Sequence, residues 1–192
     1  MIEPSFYKKI QGWFNFQEVY KKVLESVESG TFVEVGCWLG ASTSYMGELI
    51  KHNKKDVKFF AVDTWEGSPD EEIHARLIAS RGGDIFSIFK ENMEAAGIKD
   101  IVNPIRKPSV EAAKDFEDES IDFVYIDAGH TYKEVYEDLT SWIPKVKKGG
   151  FVGGHDYYPH FIRGNGVKEA VHEFFERDEL TIIENSWLII KE

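Results

Sequence analysis

Short apolar runs rich in β-branched and aromatic residues alternate with amphipathic stretches along most of the chain. The runs occupy residues 31–35, 58–62, 101–105, 121–126 and 150–153. Strands that are apolar at consecutive positions are buried on both faces, as in a parallel sheet covered by helices. The alternation therefore predicts βαβ units and an α/β fold.

Capping signals mark three of the intervening helices. Thr131 and Glu134 have the spacing of a capping box, and Pro144 ends the amphipathic stretch that follows them. Asp84 and Asn165 are residue types suited to cap two further helices. We therefore predict that a helix follows each of these N-cap residues.

The end of the chain has a different pattern. Two apolar runs, residues 180–183 and 187–190, are separated only by the polar residues Glu184, Asn185 and Ser186. This spacing predicts a hairpin at an edge of the sheet. A length of 192 residues suits a single domain. We predict one domain, with an N-terminal helical segment at residues 1–30 and a core at residues 31–192.

The charge balance narrows the range of partners. The chain has 23 basic and 34 acidic residues, a formal net charge of −11, and no run of Lys or Arg longer than a pair. An acidic chain of this kind repels nucleic acid and anionic membranes. Its single cysteine, Cys37, cannot form an internal disulfide, and no apolar stretch is long enough to span a bilayer. These features predict a cytoplasmic protein with neither nucleic acid nor a membrane as partner.

The loop after the first predicted strand contains two glycines. Gly36 and Gly40 allow a sharp turn and a close approach of the backbone to a ligand, and Ser42 lies where the next helix begins. The spacing differs from that of the dinucleotide fingerprint and of the phosphate-binding loop, so it predicts no pyrophosphate site. A plain strand-to-helix turn is the alternative interpretation.

An acidic residue with an aromatic neighbour ends the second predicted strand. The carboxylate of Asp63 can accept hydrogen bonds from both hydroxyls of a ribose, and Trp65 offers an aromatic face to a purine. Together with the glycine loop, this pair indicates a nucleoside-bearing ligand without an obligatory phosphate. The alternative is that Asp63 only caps a helix or orders its own loop.

Ionisable residues follow the fourth and fifth predicted strands. Asp127 and His130 come after the fourth, and His155 and Asp156 come after the fifth. Because the ends of neighbouring parallel strands meet at one edge of a sheet, these side chains are expected to share a cleft. Carboxylates and imidazoles together can hold a divalent metal or provide a general base, although each residue alone could be structural. The histidines without such acidic partners are interpreted as surface residues: His52, His74 and His172.

Ordered motifs across residues 31–190 resemble those of a known enzyme family. They are FVEVGCWLGAST, AVDTWEG, DIFSIFKENMEAAGI, PSVEAA, IDFVYIDAGHTYKEVYEDL, GGFVGGHDY and GVKEAV. In this order they are similar to class I S-adenosylmethionine-dependent methyltransferases, in the branch of macrocin-type sugar O-methyltransferases and cephalosporin-hydroxylase-like proteins. The resemblance implies a Rossmann-like, doubly wound sheet of about seven strands, mostly parallel with an antiparallel C-terminal strand, and helices on both faces.

The same resemblance implies roles in binding S-adenosylmethionine (SAM). It places Gly36 and Gly40 beside the methionine portion, Asp63 on the ribose and Ser109 near the adenine. The full set of residues expected to contact SAM is Glu34, Gly36, Trp38, Gly40, Ser42, Asp63, Thr64, Trp65, Ser109 and Asp127.

Activation of the methyl acceptor is expected to depend on Asp127, His130 and Asp156. A hydroxyl is a poor nucleophile until a base removes its proton or a metal lowers its pKa. Metal-dependent relatives often carry two acids on the fifth strand, where this chain has His155 and Asp156. One anionic oxygen fewer weakens the binding of Mg²⁺. Two routes stay open: Mg²⁺ or another divalent cation held by Asp127, His155 and Asp156, or His130 as the general base.

The resemblance implies O-methylation of a hydroxyl on a sugar or another small polar molecule. A nicotinamide-dependent oxidoreductase is the runner-up, although the third glycine of its fingerprint is absent. A non-catalytic nucleoside-binding module is a further alternative, and a homo-oligomer is left open. Residues 66–83 are polar and contain glycines, so they are interpreted as a cover over the site or as a plain surface insertion.

Overall fold

A computed structural model describes residues 3–67, 72–80, 82–158 and 164–192, with the side chains of residues 72 and 73 left out. Its centre is a seven-stranded sheet in the order β3-β2-β1-β4-β5-β7-β6. The strands are β1 (Ser29–Val35), β2 (Asp56–Asp63), β3 (Val102–Arg106), β4 (Ile121–Ile126), β5 (Val146–Gly154), β6 (Thr181–Ile183) and β7 (Ser186–Ile190).

Seven α-helices are described beside the sheet. They are α1 (Gln17–Ser26), α2 (Ala41–Asn53), α3 (Glu72–Ser80), α4 (Ile85–Ala95), α5 (Ser109–Ala113), α6 (Tyr132–Trp142) and α7 (Gly166–Val171). Short 3₁₀ turns at Phe6–Lys9 and Ile143–Lys145 accompany them. In the described part of the chain, no helix has both the length and the apolar character needed to cross a membrane.

Strand directions follow the predicted α/β pattern. The first five strands pair in parallel, and β7 runs antiparallel to both β5 and β6. The doubly wound sheet with an antiparallel C-terminal strand is therefore confirmed. The predicted terminal hairpin is β6 and β7, joined at Glu184 and Asn185.

Both faces of the sheet are covered by helices. Phe32 and Phe123 pack with α1, α2 and α4 on one face, whereas Val33 and Val124 pack with α5, α6 and α7 on the other. Because successive residues of a strand point to opposite faces, the unbroken apolar runs serve both layers. The helices thus leave the strand ends as the places where ligands can reach the sheet.

Two of the three predicted helix caps are present. Thr131 and Glu134 form a full capping box at the start of α6, and the Asp84 side chain accepts a hydrogen bond from the Ser87 amide at the start of α4. Asn165 precedes α7 without a side-chain cap, because its amide donates to Glu169 over 3.4 Å instead. The prediction of an Asn165 side-chain cap was therefore wrong, although the helix itself forms.

Candidate functional site

A cavity of about 930 Å³ lies at the carboxyl ends of β1, β2, β4 and β5. Loops after these strands form most of its wall, and residues 12–15 of the N-terminal segment complete it. The structure brings together here most of the residues proposed from the sequence: Gly36, Trp38, Ser42, Asp63, Thr64, Ser109, Asp127, His130, His155 and Asp156. Glu34, Gly40 and Trp65 are not part of the described wall.

Gly36 lies where β1 passes closest to the end of β4. Its φ is +88°, and a Cβ at this position would come within clashing distance of the backbone carbonyl of Asp127. The Gly36 amide donates to Val62 O over 2.9 Å, and the Asp127 amide donates to Val35 O over 2.8 Å. The absence of a side chain therefore allows three strand ends to meet at the cavity.

Gly40 has a packing role away from the cavity. Its φ is +90°, and a Cβ there would clash with the side chains of Met93 and Phe89 of α4. Glycine at this position thus lets the start of α2 pack against α4. Of the two glycines expected beside the cofactor, only Gly36 lines the cavity.

The Asp63 carboxylate links the loop after β1 to the loop after β2. Its Oδ2 accepts hydrogen bonds from the amides of Cys37 and Trp38 at 2.8 and 2.9 Å, and its Oδ1 accepts one from the Trp65 amide at 2.6 Å. A carboxylate has about four acceptor positions, so one remains on Oδ1 for a ligand hydroxyl. Asp63 thus has both a loop-ordering role and capacity for a ligand.

Trp38, not Trp65, is the tryptophan that faces the cavity. Trp65 is 1% exposed, packs on Phe86 and Phe89, and donates its indole Nε1 proton to Trp38 O over 2.8 Å. Both tryptophans have positive φ, +49° at Trp38 and +55° at Trp65. The expectation that Trp65 offers a face to a purine was wrong, because these turns direct its ring into the core.

His74 of α3 is a cavity residue that the sequence did not reveal. Its ring stacks on Trp38 with 3.8 Å between the centroids, and it lines the cavity wall. The interpretation of His74 as a surface residue was therefore wrong. The available signal was its position within the polar segment proposed as a cover. Residues 68–71 and 81 of that segment lie outside the described residues.

Glu34 lies beneath the glycine loop and not on the cavity wall. The carboxyl group accepts hydrogen bonds from the hydroxyls of Tyr20 and Thr43. Burial raises its pKa to about 7, although hydrogen bonds from Ser42, Thr43 and Tyr20 act in the opposite direction. Glu34 therefore stabilises the loop, because its hydrogen bonds link β1 to α1 and to the start of α2.

Asp156 is the centre of a polar cluster at the ends of β4 and β5. Its carboxylate lies 3.0 Å from His130 Nε2 and 3.4 Å from His155 Nδ1, and it accepts a hydrogen bond from Asn185 Nδ2 over 3.1 Å. Burial raises the pKa of the Asp156 carboxyl, but the hydrogen bonds from His130 and His155 outweigh burial and hold the pKa below its ordinary value. Asp156 is thus an anion that orients two imidazoles.

Three groups of this cluster are close enough to share an ion. Ligand atoms of Asp127, His130 and Asp156 all lie within 4.8 Å of one another. His155 also contacts the acids, with its Nδ1 3.7 Å from Asp127 Oδ1. The arrangement places carboxylates and imidazoles where a general base or a cation would act on a ligand in the cavity.

Asp138 and Ser109 form a second polar pair at another part of the wall. Ser109 begins α5, Asp138 belongs to α6, and the Trp142 indole donates to Ser109 Oγ over 2.9 Å. Burial raises the pKa of Asp138 to about 6, partly offset by a hydrogen bond from Ser109. Asp138 was not predicted from the sequence, although an acid within the apolar stripe formed by Val135 and Leu139 was a usable signal.

Comparison with known proteins identifies relatives of this chain. A family model described as a methyltransferase domain matches residues 33–157. An uncharacterized protein from Sinorhizobium fredii is 26% identical over 156 residues, which are 81% of this chain and 16% of that protein. The chain therefore spans only a small part of the length of this relative.

Solved structures share the fold. The O-methyltransferase NovP superimposes with a TM-score of 0.63 at 22% identity, covering 91% of this chain and 77% of that one. A TDP-rhamnose 3'-O-methyltransferase of calicheamicin biosynthesis gives a TM-score of 0.59 at 12% identity, covering 91% of this chain and 76% of that one. At these identities the similarity shows the shared fold alone.

Proposed function

This chain belongs to the methyltransferase domain family, and from that premise we propose that it transfers the methyl group of SAM to a hydroxyl oxygen of a small polar molecule such as a sugar. The observation that carries this proposal is a single cavity that joins the Asp63 loop to the cluster of Asp127, His130 and Asp156. Methyl transfer needs a donor site and an acceptor-activating group side by side, and the residues that line this cavity are suited to both roles.

The cavity wall suits SAM in size and in the order of its groups. About 930 Å³ is at the upper end of the range for small-molecule sites. We assign the methionine portion to Gly36 and Ser42, the ribose to Asp63, and the adenine to the region of Ser109. Acidic side chains on the wall also favour the positive charge of the sulfonium.

The acceptor-activating group is assigned to the imidazole of His130. Imidazole is the side chain best suited to accept a proton near neutral pH. A neutral His130 that donates its Nε2 proton to Asp156 carries its basic lone pair on Nδ1. This nitrogen is buried, so we infer that the acceptor hydroxyl meets it only after a local shift that keeps the contact with Asp156, as catalytic hydrogen bonds often form only in the substrate complex.

A divalent cation is the alternative means of activation. Asp127, His130 and Asp156 would hold it, and their two carboxylates and one imidazole suit ions such as Mn²⁺ or Fe²⁺ better than Mg²⁺. When bound, such an ion would lower the pKa of the acceptor hydroxyl. We favour the base route because the Asp156 carboxylate is already engaged by His130, His155 and Asn185.

The proposed acceptor is a small hydroxylated molecule, and a sugar is our first choice. The structural neighbours include an enzyme that methylates TDP-rhamnose. Trp13 stands at the cavity with 65% of its surface exposed, beside His74 and Trp38. An exposed indole can pack on the apolar face of a sugar or another ring, which supports an acceptor subsite at this rim.

The test of this function combines a binding screen with a transfer assay. Thermal shift measurements with SAM, S-adenosylhomocysteine (SAH) and NAD should show stabilisation by the first two alone. Methyl-labelled SAM is then incubated with a panel of sugars and other hydroxylated metabolites, and labelled products are identified by mass spectrometry. Stabilisation by NAD without SAM or SAH would instead favour the oxidoreductase alternative.

Asp63→Ala is expected to weaken SAH binding about ten- to hundredfold. A hydrogen bond to a charged acceptor contributes roughly 1.5–3 kcal/mol, and Asp63 also orders the amides of Cys37 and Trp38. Calorimetry measures the affinity. Asp56→Ala is the matched control, because Asp56 lies at the opposite end of the same strand. Unchanged affinity in Asp63→Ala would contradict the assignment of the ribose.

Binding of SAH is expected to slow hydrogen exchange in α3. His74 of α3 stacks on Trp38, and the Trp38 amide donates a hydrogen bond to Asp63. A ligand bound at Asp63 is therefore expected to reduce local opening of α3. Exchange is measured by mass spectrometry with and without SAH, and α7 serves as an internal control. If α3 exchanges equally in both states, it is a surface insertion and not a cover.

A further inference from the structure

The terminal hairpin of β6 and β7 reaches the polar cluster at the ends of β4 and β5. Its turn residue Asn185 lines the same cavity as His130 and Asp156. The next residue, Ser186, is buried, and its hydroxyl lies 2.8 Å from the hydroxyl of Tyr125 on β4. Because the start of β7 is thus anchored to the centre of the sheet, Asn185 is held at a fixed place beside the cluster.

Asn185 forms hydrogen bonds with three consecutive residues of the loop after β5. Its backbone carbonyl accepts from the Tyr157 amide over 3.0 Å, and its side-chain Oδ1 accepts from the Tyr158 amide over 2.8 Å. A backbone amide can only donate, so the side-chain oxygen of Asn185 faces Tyr158 and the side-chain nitrogen faces Asp156. This nitrogen donates to Asp156 Oδ1 over 3.1 Å. The direction of each hydrogen bond is therefore defined.

The backbone of Asp156 needs such support. Its φ is +55°, in the left-handed region that residues with a side chain adopt uncommonly. A residue stays in this region when the surrounding contacts fix it there. The two amides that follow Asp156 are both bound by Asn185. Loss of these contacts would let the loop relax and move the Asp156 carboxylate.

The two oxygens of the Asp156 carboxylate face different groups. Oδ2 lies 3.0 Å from Nε2 of His130, whereas Oδ1 accepts from Asn185. His155 Nδ1 also approaches Oδ1, but at 3.4 Å it is farther away than Asn185. A carboxylate is a rigid planar group, so a contact that fixes one oxygen also fixes the direction of the other. Asn185 thus influences where the His130 imidazole is held.

We propose that Asn185 is a positioning residue for methyl transfer, because it fixes the Asp156 carboxylate and, through it, the imidazole of His130. The inference rests on the proposed function, since it requires His130 to act on an acceptor. Asn185 needs no contact with either substrate in this role. Its variants are therefore expected to lose rate while they keep their affinity for the donor.

The rate test uses an acceptor found in the labelled-methyl screen. Asn185→Ala is expected to slow single-turnover methyl transfer about 10- to 100-fold, because a displacement of about 1 Å at a reacting group has an effect of this size. The affinity for SAH should stay within about threefold of wild type. In an Asp156→Ala background, Asn185→Ala should change the rate by less than about threefold, because the group through which Asn185 acts is absent. Glu184→Gly is the matched control and should keep the wild-type rate, since Glu184 is exposed and its φ of +54° suits glycine.

An NMR measurement without any ligand tests the same link independently. In protein with isotope-labelled histidine, the proton on His130 Nε2 is expected to give a resolved signal, because the contact with Asp156 slows its exchange with water. The signal is assigned by its absence from His130→Ala. Asn185→Ala is expected to raise the exchange rate of this proton at least about tenfold, whereas Glu184→Gly should leave it unchanged.

The outcomes separate this inference from the proposed function. An unchanged His130 signal or a wild-type rate in Asn185→Ala would overturn the role of Asn185 alone, as would additive effects of the Asn185 and Asp156 substitutions. Wild-type protein that binds no SAH at millimolar concentration would overturn the proposed function, and a changed His130 signal would then still support the hold of Asn185 on His130. Should thermal melting show that Asn185→Ala does not fold, Asn185→Asp is measured instead. It keeps the acceptor for the Tyr158 amide and removes the donor to Asp156, so the same losses are expected.

Discussion

Replacing His130 with alanine is expected to slow methyl transfer by about 10²- to 10⁴-fold, the usual contribution of a general base. The imidazole is held by Asp156 Oδ2, 3.0 Å from its Nε2, at the wall of the cavity. In the proposed mechanism, the acceptor hydroxyl of this variant keeps its proton and attacks the methyl group poorly. The measurement is the single-turnover rate with an acceptor found in the labelled-methyl screen. The affinity for SAH, measured by calorimetry, should stay within about threefold of wild type, because His130 is assigned to the acceptor and not to the donor.

A second histidine and a chelator make this experiment decisive. His172→Ala is the control, since His172 is exposed, contacts the Tyr157 hydroxyl and lies outside the described cavity wall. It should keep the wild-type rate. Activity of the wild-type protein should also survive EDTA. Loss of activity in EDTA and its recovery with Mn²⁺ or Fe²⁺ would contradict the base route and assign Asp127, His130 and Asp156 to a cation.

The fold was predictable because its main signals are local in the sequence. The apolar runs identified the first five strands, and the capping box at Thr131 and Glu134 identified the start of α6. The position of β7 between β5 and β6 had no local signal, because strand order is decided by pairing between distant segments. Asn165 shows a similar limit: a residue suited to a cap donated to Glu169 instead.

The site was predictable where topology alone decides position. Asp63, Asp127 and Asp156 follow parallel strands, and parallel strand ends meet at one edge. The direction in which a loop side chain points depends on backbone angles that the sequence does not reveal. This is why Trp65 was assigned to the ligand while its positive φ directs it into the core.

Residues on helices were missed for a different reason. His74 and Asp138 face the cavity only because α3 and α6 pack at particular angles around it. An acid between Val135 and Leu139 of α6 interrupts an apolar stripe. This interruption can be read from the sequence. An acidic residue that interrupts an apolar helix stripe near a strand end is therefore as good a candidate site residue as one that directly follows a strand.

Gly36→Ala is expected to destabilise the protein by about 2–5 kcal/mol and to weaken SAH binding. An alanine at φ +88° costs roughly 1–2 kcal/mol, because its Cβ crowds its own backbone. The same Cβ would clash with the Asp127 carbonyl, and forcing an extra group into a packed site costs a further 1–3 kcal/mol or so. For a chain of this length the melting temperature should fall by roughly 5–15 °C. Calorimetry with SAH follows the proposed cofactor site, since the clash displaces the strand ends that carry Gly36 and Asp127.

The variant Gly149→Ala separates the free-energy cost of a left-handed alanine from the cost of the clash. Gly149 has a similar φ of +78°, but no atom lies within 4 Å of the place where its Cβ would be. It should therefore lose only the roughly 1–2 kcal/mol of a left-handed alanine and bind SAH normally. The difference in melting temperature between the two variants reports on the close approach of β1 and β4 at the cavity. If Gly36→Ala melted no lower than Gly149→Ala, that approach would be absent in solution. If it melted lower and still bound SAH as wild type does, Gly36 would shape the sheet without touching the cofactor.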